Sequence, residues 1–127
     1  MLSNLLPASL LSLSYLILVS AAPFKVTDNP LGNSFPNPSQ QQILDIQTQA
    51  HGSLPNGPSP ATINPNTLTS LRLIAFNELF EVAFFSSLLS NITTNATGYE
   101  FQSSSSRNSA VAAVTAILAQ EELHALN

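Results

Sequence analysis

Between Leu68 and Leu89 runs LTSLRLIAFNELFEVAFFSSLL, with four of the chain's seven phenylalanines, no glycine or proline, and three charges. At about 100° per residue, Leu71, Ile74, Ala75, Val82, Phe85 and Leu89 share one face, and other apolar residues cover most of the rest. A helix that is apolar nearly all round is expected to be buried. Twenty-two residues make a rod of roughly 33 Å, the length of a helix in a four-helix bundle. Glu78 stands in the middle of that face, with Glu81 one turn on. A carboxylate taken out of water needs a partner, a proton or a metal ion, so this pair draws the functional question to itself.

The flanks set the boundaries. Residues 1–21 read as a secretory signal: Leu10 to Val19 is an apolar core, and Val19 and Ala21 place small residues where a signal peptidase cuts. The core is shorter than the ~20 residues a membrane span needs. The expected location is therefore extracellular or in the cell wall, with no stable membrane span once the signal is removed. Residues 22–66 form an arm rich in Pro, Asn and Ser. It holds eight of the nine prolines and is expected to be extended over most of its length. Within it, residues 39–50 suit a short helix, with Ser39 as cap, Ile43, Ile46 and Ala50 on one face, and Gly52 as terminator. A helix of three turns is marginal alone and needs a surface to pack on. Asn64 to Thr67 leads into the long helix, with Asn66 or Thr67 as the expected cap.

Composition excludes several functions. With three basic and seven acidic residues and a net charge of -4, the chain has no basic cluster to meet nucleic-acid phosphates. There is no cysteine, hence no disulfide, thiolate metal site or thiol nucleophile. No nucleophile-elbow motif or glycine-rich phosphate loop is present. Two glycosylation sequons begin at Asn91 and Asn95, in a polar stretch expected to be a loop across residues 90–108, which Tyr99 and Phe101 could pin to the helices.

A second helix is expected over residues 109–127, capped by Asn108 or Ser109. Its polar residues gather late, as Gln120, Glu121, Glu122 and His124. Two acids near a helix C-terminus oppose the helix dipole and call for compensation, such as a cation. Glu121 and His124 stand at i and i+3, so carboxylate and imidazole point the same way and can grip one ion. One helix giving a Glu and the next giving Glu-x-x-His is half of a carboxylate-bridged dimetal site. Without sulfur, such a donor set suits iron, manganese or zinc. Helical phase alone does not choose Glu78 over Glu81, or Glu121 over Glu122.

The phrases HGSLPNGPSP, LTSLRLIAFNELFEVAFFSSLLSNIT and AQEELHALN, in residues 51–100 and 110–127, resemble fungal ferritin-like secreted proteins. These are stress-response and late-sexual-development proteins, related to plant desiccation-related proteins. The resemblance implies an all-α, ferritin-like four-helix bundle. Only its first two long helices, about residues 68–90 and 109–127, are present, so residues 67–127 would be the N-terminal half of the domain and the chain a truncated one. It further implies Glu78 as first ligand, Glu121 as bridging ligand and His124 as terminal ligand, with Glu81 and Glu122 as alternates, for iron or manganese binding or oxidation. The main functional expectation is a non-catalytic structural or interaction protein of the same fold, associated with stress response or sexual development, and the iron or manganese site is the alternative to it. A third is a non-functional fragment. Two apolar helices cannot bury their faces against each other alone, so pairing of two copies through exposed helix faces is also expected.

Overall fold

The computed structural model describes residues 29–54, 57–58 and 60–127, and within them the chain is all-helical. The expected signal at 1–21 and the first part of the arm lie outside the described residues. Three helices follow one another: α1 (Gln40–Ala50), α2 (Pro65–Thr93) and α3 (Ser104–Ala125). α3 packs against both of the others. Arg107, early in α3, reaches the last carbonyls of α2, while His124, late in α3, reaches Glu78. The α2–α3 pair is therefore an antiparallel hairpin, closed by residues 94–103.

Each helix begins where a side chain can satisfy its free amides. Ser39 Oγ accepts from Gln42 N while Gln42 Oε1 accepts from Ser39 N, a complete capping box. At the far end of α1 it is His51, not Gly52, that takes the left-handed conformation (φ 54°). Its amide and that of Gly52 donate to Thr48 and Gln47 carbonyls. α2 starts earlier than Asn66 or Thr67 would set it: Asn64 Oδ1 accepts from Asn66 N at 2.9 Å, and Pro65 occupies the first helical position. α3 likewise starts at Ser104 rather than near 109, because Ser103 Oγ accepts from Ser106 N at 3.1 Å. The serine run expected to be loop is thus the first turn of a helix, and the connection shrinks to ten residues. Tyr99 and Phe101 stay 39% and 37% exposed in it. Arg107 fastens that end instead, its Nε donating to the Ile92 carbonyl at 3.0 Å and its other guanidinium nitrogen to Thr93.

The core has two parts, one on each side of α3. Phe35, Val82, Leu89, Ile92, Val114 and Leu118 fill the space between α3 and α2. Ile46, Ala50, Ala119 and Leu123 join α1 to the opposite flank, where Gln120 Nε2 also donates to the Ala50 carbonyl at 3.1 Å. Ile46, Val82 and Leu118 are fully buried, each stabilising the fold by about 1.5–3 kcal/mol. The short helix thus finds the surface that it needed.

One expectation is corrected. α2 is not buried along its length: Leu71 is 44% exposed, Ile74 53% and Phe76 69%. The antiparallel register explains this. α3 ends at Ala125, opposite the neighbourhood of Glu78, so the first three turns of α2 run on past the one helix that packs on α2 among the described residues. Periodicity marked these residues as core-facing, but burial needs a facing element as well.

Candidate metal centre

The hairpin sets Glu78, from mid-α2, across from the last turns of α3. There Glu121 and His124, one turn apart, point towards it. His124 Nδ1 lies 3.2 Å from Glu78 Oε2 and 3.0 Å from Glu121 Oε2. One potential ligand atom from each of the three residues falls within a sphere where all lie within 4.8 Å of one another. The two carboxylates are largely covered, their side chains 17% and 14% exposed, whereas the imidazole is 58% exposed. The cluster is a shallow site with carboxylates at its floor and histidine at its mouth.

Electrostatics follows from that placement. Burial raises the Glu121 carboxyl above the ordinary carboxylate range. The His124 hydrogen bond and charge pull it down again, and the nearby Glu81 and Glu78 charges push it up. At His124 burial works downward, but the Glu121 hydrogen bond and the charges of Glu121 and Glu78 outweigh it, so the imidazole is held above its ordinary value. Two acids and one base in contact thus carry an excess of negative charge, which a proton on the ring only partly offsets.

The donor set can be tested against metal geometry. Bonds of about 2.0–2.2 Å to nitrogen and oxygen, at tetrahedral to octahedral angles, put neighbouring donor atoms roughly 3–3.5 Å apart. The separations of 3.0 and 3.2 Å are of that size. Two carboxylates and one imidazole suit iron(II), manganese(II) or zinc, and three protein ligands leave positions for solvent.

Helical phase left two choices open, and the fold separates them. Glu122 does not face the cluster. It points to the other side of α3, fully buried, where Oε1 accepts from Asn29 Nδ2 and Oε2 from Asn33 Nδ2. Burial raises its pKa, and the two amides lower it in part. A residue 100° further round the helix than Glu121 must leave the α2 side, and here it anchors the arm to α3. Glu81 is half-buried and acts on Glu121 by charge, with no ligand atom in the cluster. Asn29, Asn33 and Arg107 carry structural weight that the sequence did not announce, since their partners lie far along the chain or on backbone atoms. Of the two sequon asparagines, Asn91 sits half-buried in the last turn of α2, and Asn95 is exposed in the following turn with φ 55°.

Compared with known proteins, the chain matches no family model, no curated protein and no solved structure.

Proposed function

We propose that this is a secreted, ferritin-like metal-binding protein, in which Glu78, Glu121 and His124 together hold one divalent cation, iron(II) or manganese(II). One observation carries the reading: ligand atoms from these three residues, on two antiparallel helices, lie within 4.8 Å of one another. The Glu and Glu-x-x-His arrangement, and the resemblance of the chain's phrases to fungal ferritin-like proteins, support it further. An ion bound there supplies a Lewis acid with positions open to water. The chain's own part would be to neutralise it with two carboxylates, to offer the unprotonated His124 Nδ1, which then gives up its contact with the Glu121 and Glu78 oxygens, and to exclude water from the carboxylate floor. Export rests on the signal reading of residues 1–21.

The test is titration of the purified chain with manganese(II), followed by loss of the free-ion paramagnetic signal, and anaerobically with iron(II). One equivalent is expected to bind. Glu121→Ala and His124→Ala are each expected to weaken binding at least tenfold, with the helical content unchanged. Unaltered binding in Glu121→Ala would sink the assignment.

A second reading is favoured by the bare apolar surface of α2 and by the mutual pairing of His124 with both carboxylates. In it the protein is a structural or interaction protein of the stress-response and development kind, and the cluster is an ion pair that fixes the hairpin. Absence of any bound equivalent in the titration selects this reading.

A further inference from the structure

Eight large apolar side chains of α2 are more than a third exposed, and they are not scattered. On the side of the helix facing away from α3, Leu73, Phe76, Phe80, Ala83 and Ser87 follow one another at steps of three, four, three and four residues. This is the spacing of a seam along which two helices pair. Leu73, Phe76 and Phe80 are 69%, 69% and 61% exposed, and Phe84 beside them is 55% exposed. No charge interrupts the seam: Arg72 and Glu81 lie on opposite flanks of it. The seam is also separate from the metal cluster, because Glu78 faces α3.

We propose that this seam pairs with the same seam of a second copy, antiparallel, about a two-fold axis passing near Phe80. Self-complementarity is the argument. The seam is bulky in its N-terminal half and small in its C-terminal half. An antiparallel pair centred on Phe80 sets Leu73 of one copy against Ser87 of the other, and Phe76 against Ala83, so large side chains fill the space over small ones. A parallel pair would set Leu73, Phe76 and Phe80 each on its own mate and leave a gap over Ala83 and Ser87, whereas the antiparallel pair does so only for Phe80 at the axis. Ser87 is ready for such a contact, because its hydroxyl already donates to the Ala83 carbonyl at 2.9 Å and needs no partner from outside.

Area agrees. Four side chains of this size at these exposures present about 500 Å² per copy. A pair therefore covers about 1,000 Å² in all, which reaches the threshold for a specific interface. A pair of helices in this register also obeys the closed symmetry of a two-fold dimer, each copy giving the same patch.

The experiment uses the full chain, whose lack of cysteine makes any introduced thiol the sole one. Sedimentation equilibrium at tens of micromolar is expected to show a dimer, and Phe76→Glu to weaken it at least tenfold. Under mild oxidation Phe80→Cys is expected to cross-link to its own copy, since a thiol at the axis meets its mate. Leu73→Cys alone is expected to stay unlinked, yet to cross-link when mixed with Ser87→Cys. These positions are exposed, so the α2–α3 core is left untouched, and circular dichroism checks this. A monomeric unsubstituted chain overturns the proposal, and so does a Leu73→Cys chain that links to itself as readily as Phe80→Cys. α2 is also long and apolar enough to cross a membrane. Flotation of monomer with phosphatidylcholine vesicles would name a bilayer as the occupant and overturn the dimer equally.

Discussion

Glu121 and Glu122 are neighbours in the chain, and the roughly 100° between them sends their side chains to different partners around α3. Glu121 Oε2 lies 3.0 Å from His124 Nδ1 on the α2 side, whereas Glu122 is fully buried between the side-chain amides of Asn29 and Asn33. A single step of a helix thus separates a candidate ligand from an anchor, and substitutions at the two positions should act on different properties.

Glu122→Ala is predicted to destabilise the fold by about 2–5 kcal/mol, because it opens a cavity and strands two amides at once. Glu121→Ala is predicted to cost far less stability. Glu122 also carries a pH dependence of stability. Its folded pKa is raised, chiefly by burial. Its contribution is therefore fully present below the ordinary carboxylate range and declines as pH rises through the folded value. The advantage of the natural chain over Glu122→Gln should be widest near pH 4 and narrower near pH 7. Urea midpoints of both chains at the two pH values decide it, and a constant gap refutes the sign.

Proton and metal compete at His124. The ring is held above its ordinary pKa by Glu121 and Glu78 despite the opposing effect of burial, and only the deprotonated ring binds a metal ion. Manganese(II) affinity should therefore fall as pH is lowered, beginning above the range in which a free imidazole titrates. Calorimetry in buffers of different ionisation heat should show proton release on binding. The imidazole is largely exposed, so added salt should bring the onset back towards that of free histidine. Affinity that stays flat through this range would place the ion elsewhere.

Ser86 offers a stabilising substitution. Its hydroxyl is buried with no hydrogen-bond partner among the described residues. A hydroxyl moved out of water without a partner costs about 1–3 kcal/mol. Ser86→Ala should recover roughly 1 kcal/mol of that and raise the melting temperature by a few degrees. A lower melting temperature would mean that the hydroxyl is satisfied after all.

Local chemistry was the legible part of this chain. Ser39 announced the start of α1, and Glu121 and His124 announced their common direction through spacing alone. What escaped was non-local. Nothing near Glu122 points to Asn29 or Asn33, which lie 93 and 89 residues away. The start of α3 was hidden because serine is a weak helix former, and the decision was made by one hydroxyl, that of Ser103, acting as a cap. The exposure of Leu71 and Ile74 was hidden for a third reason. Their spacing describes a face, while the length of α3 decides whether anything covers it.

The anchor at Glu122 also carries an order of events. Synthesis runs from the N-terminus, so Asn29 and Asn33 leave the ribosome long before the carboxylate that will hold them exists as part of a chain. The α2–α3 hairpin can close from contacts made nearby, but residues 29–35 must wait for α3 to be made almost to its end. Among the described residues α1 waits with it, because Ala119 and Leu123, on which it packs, are made just as late.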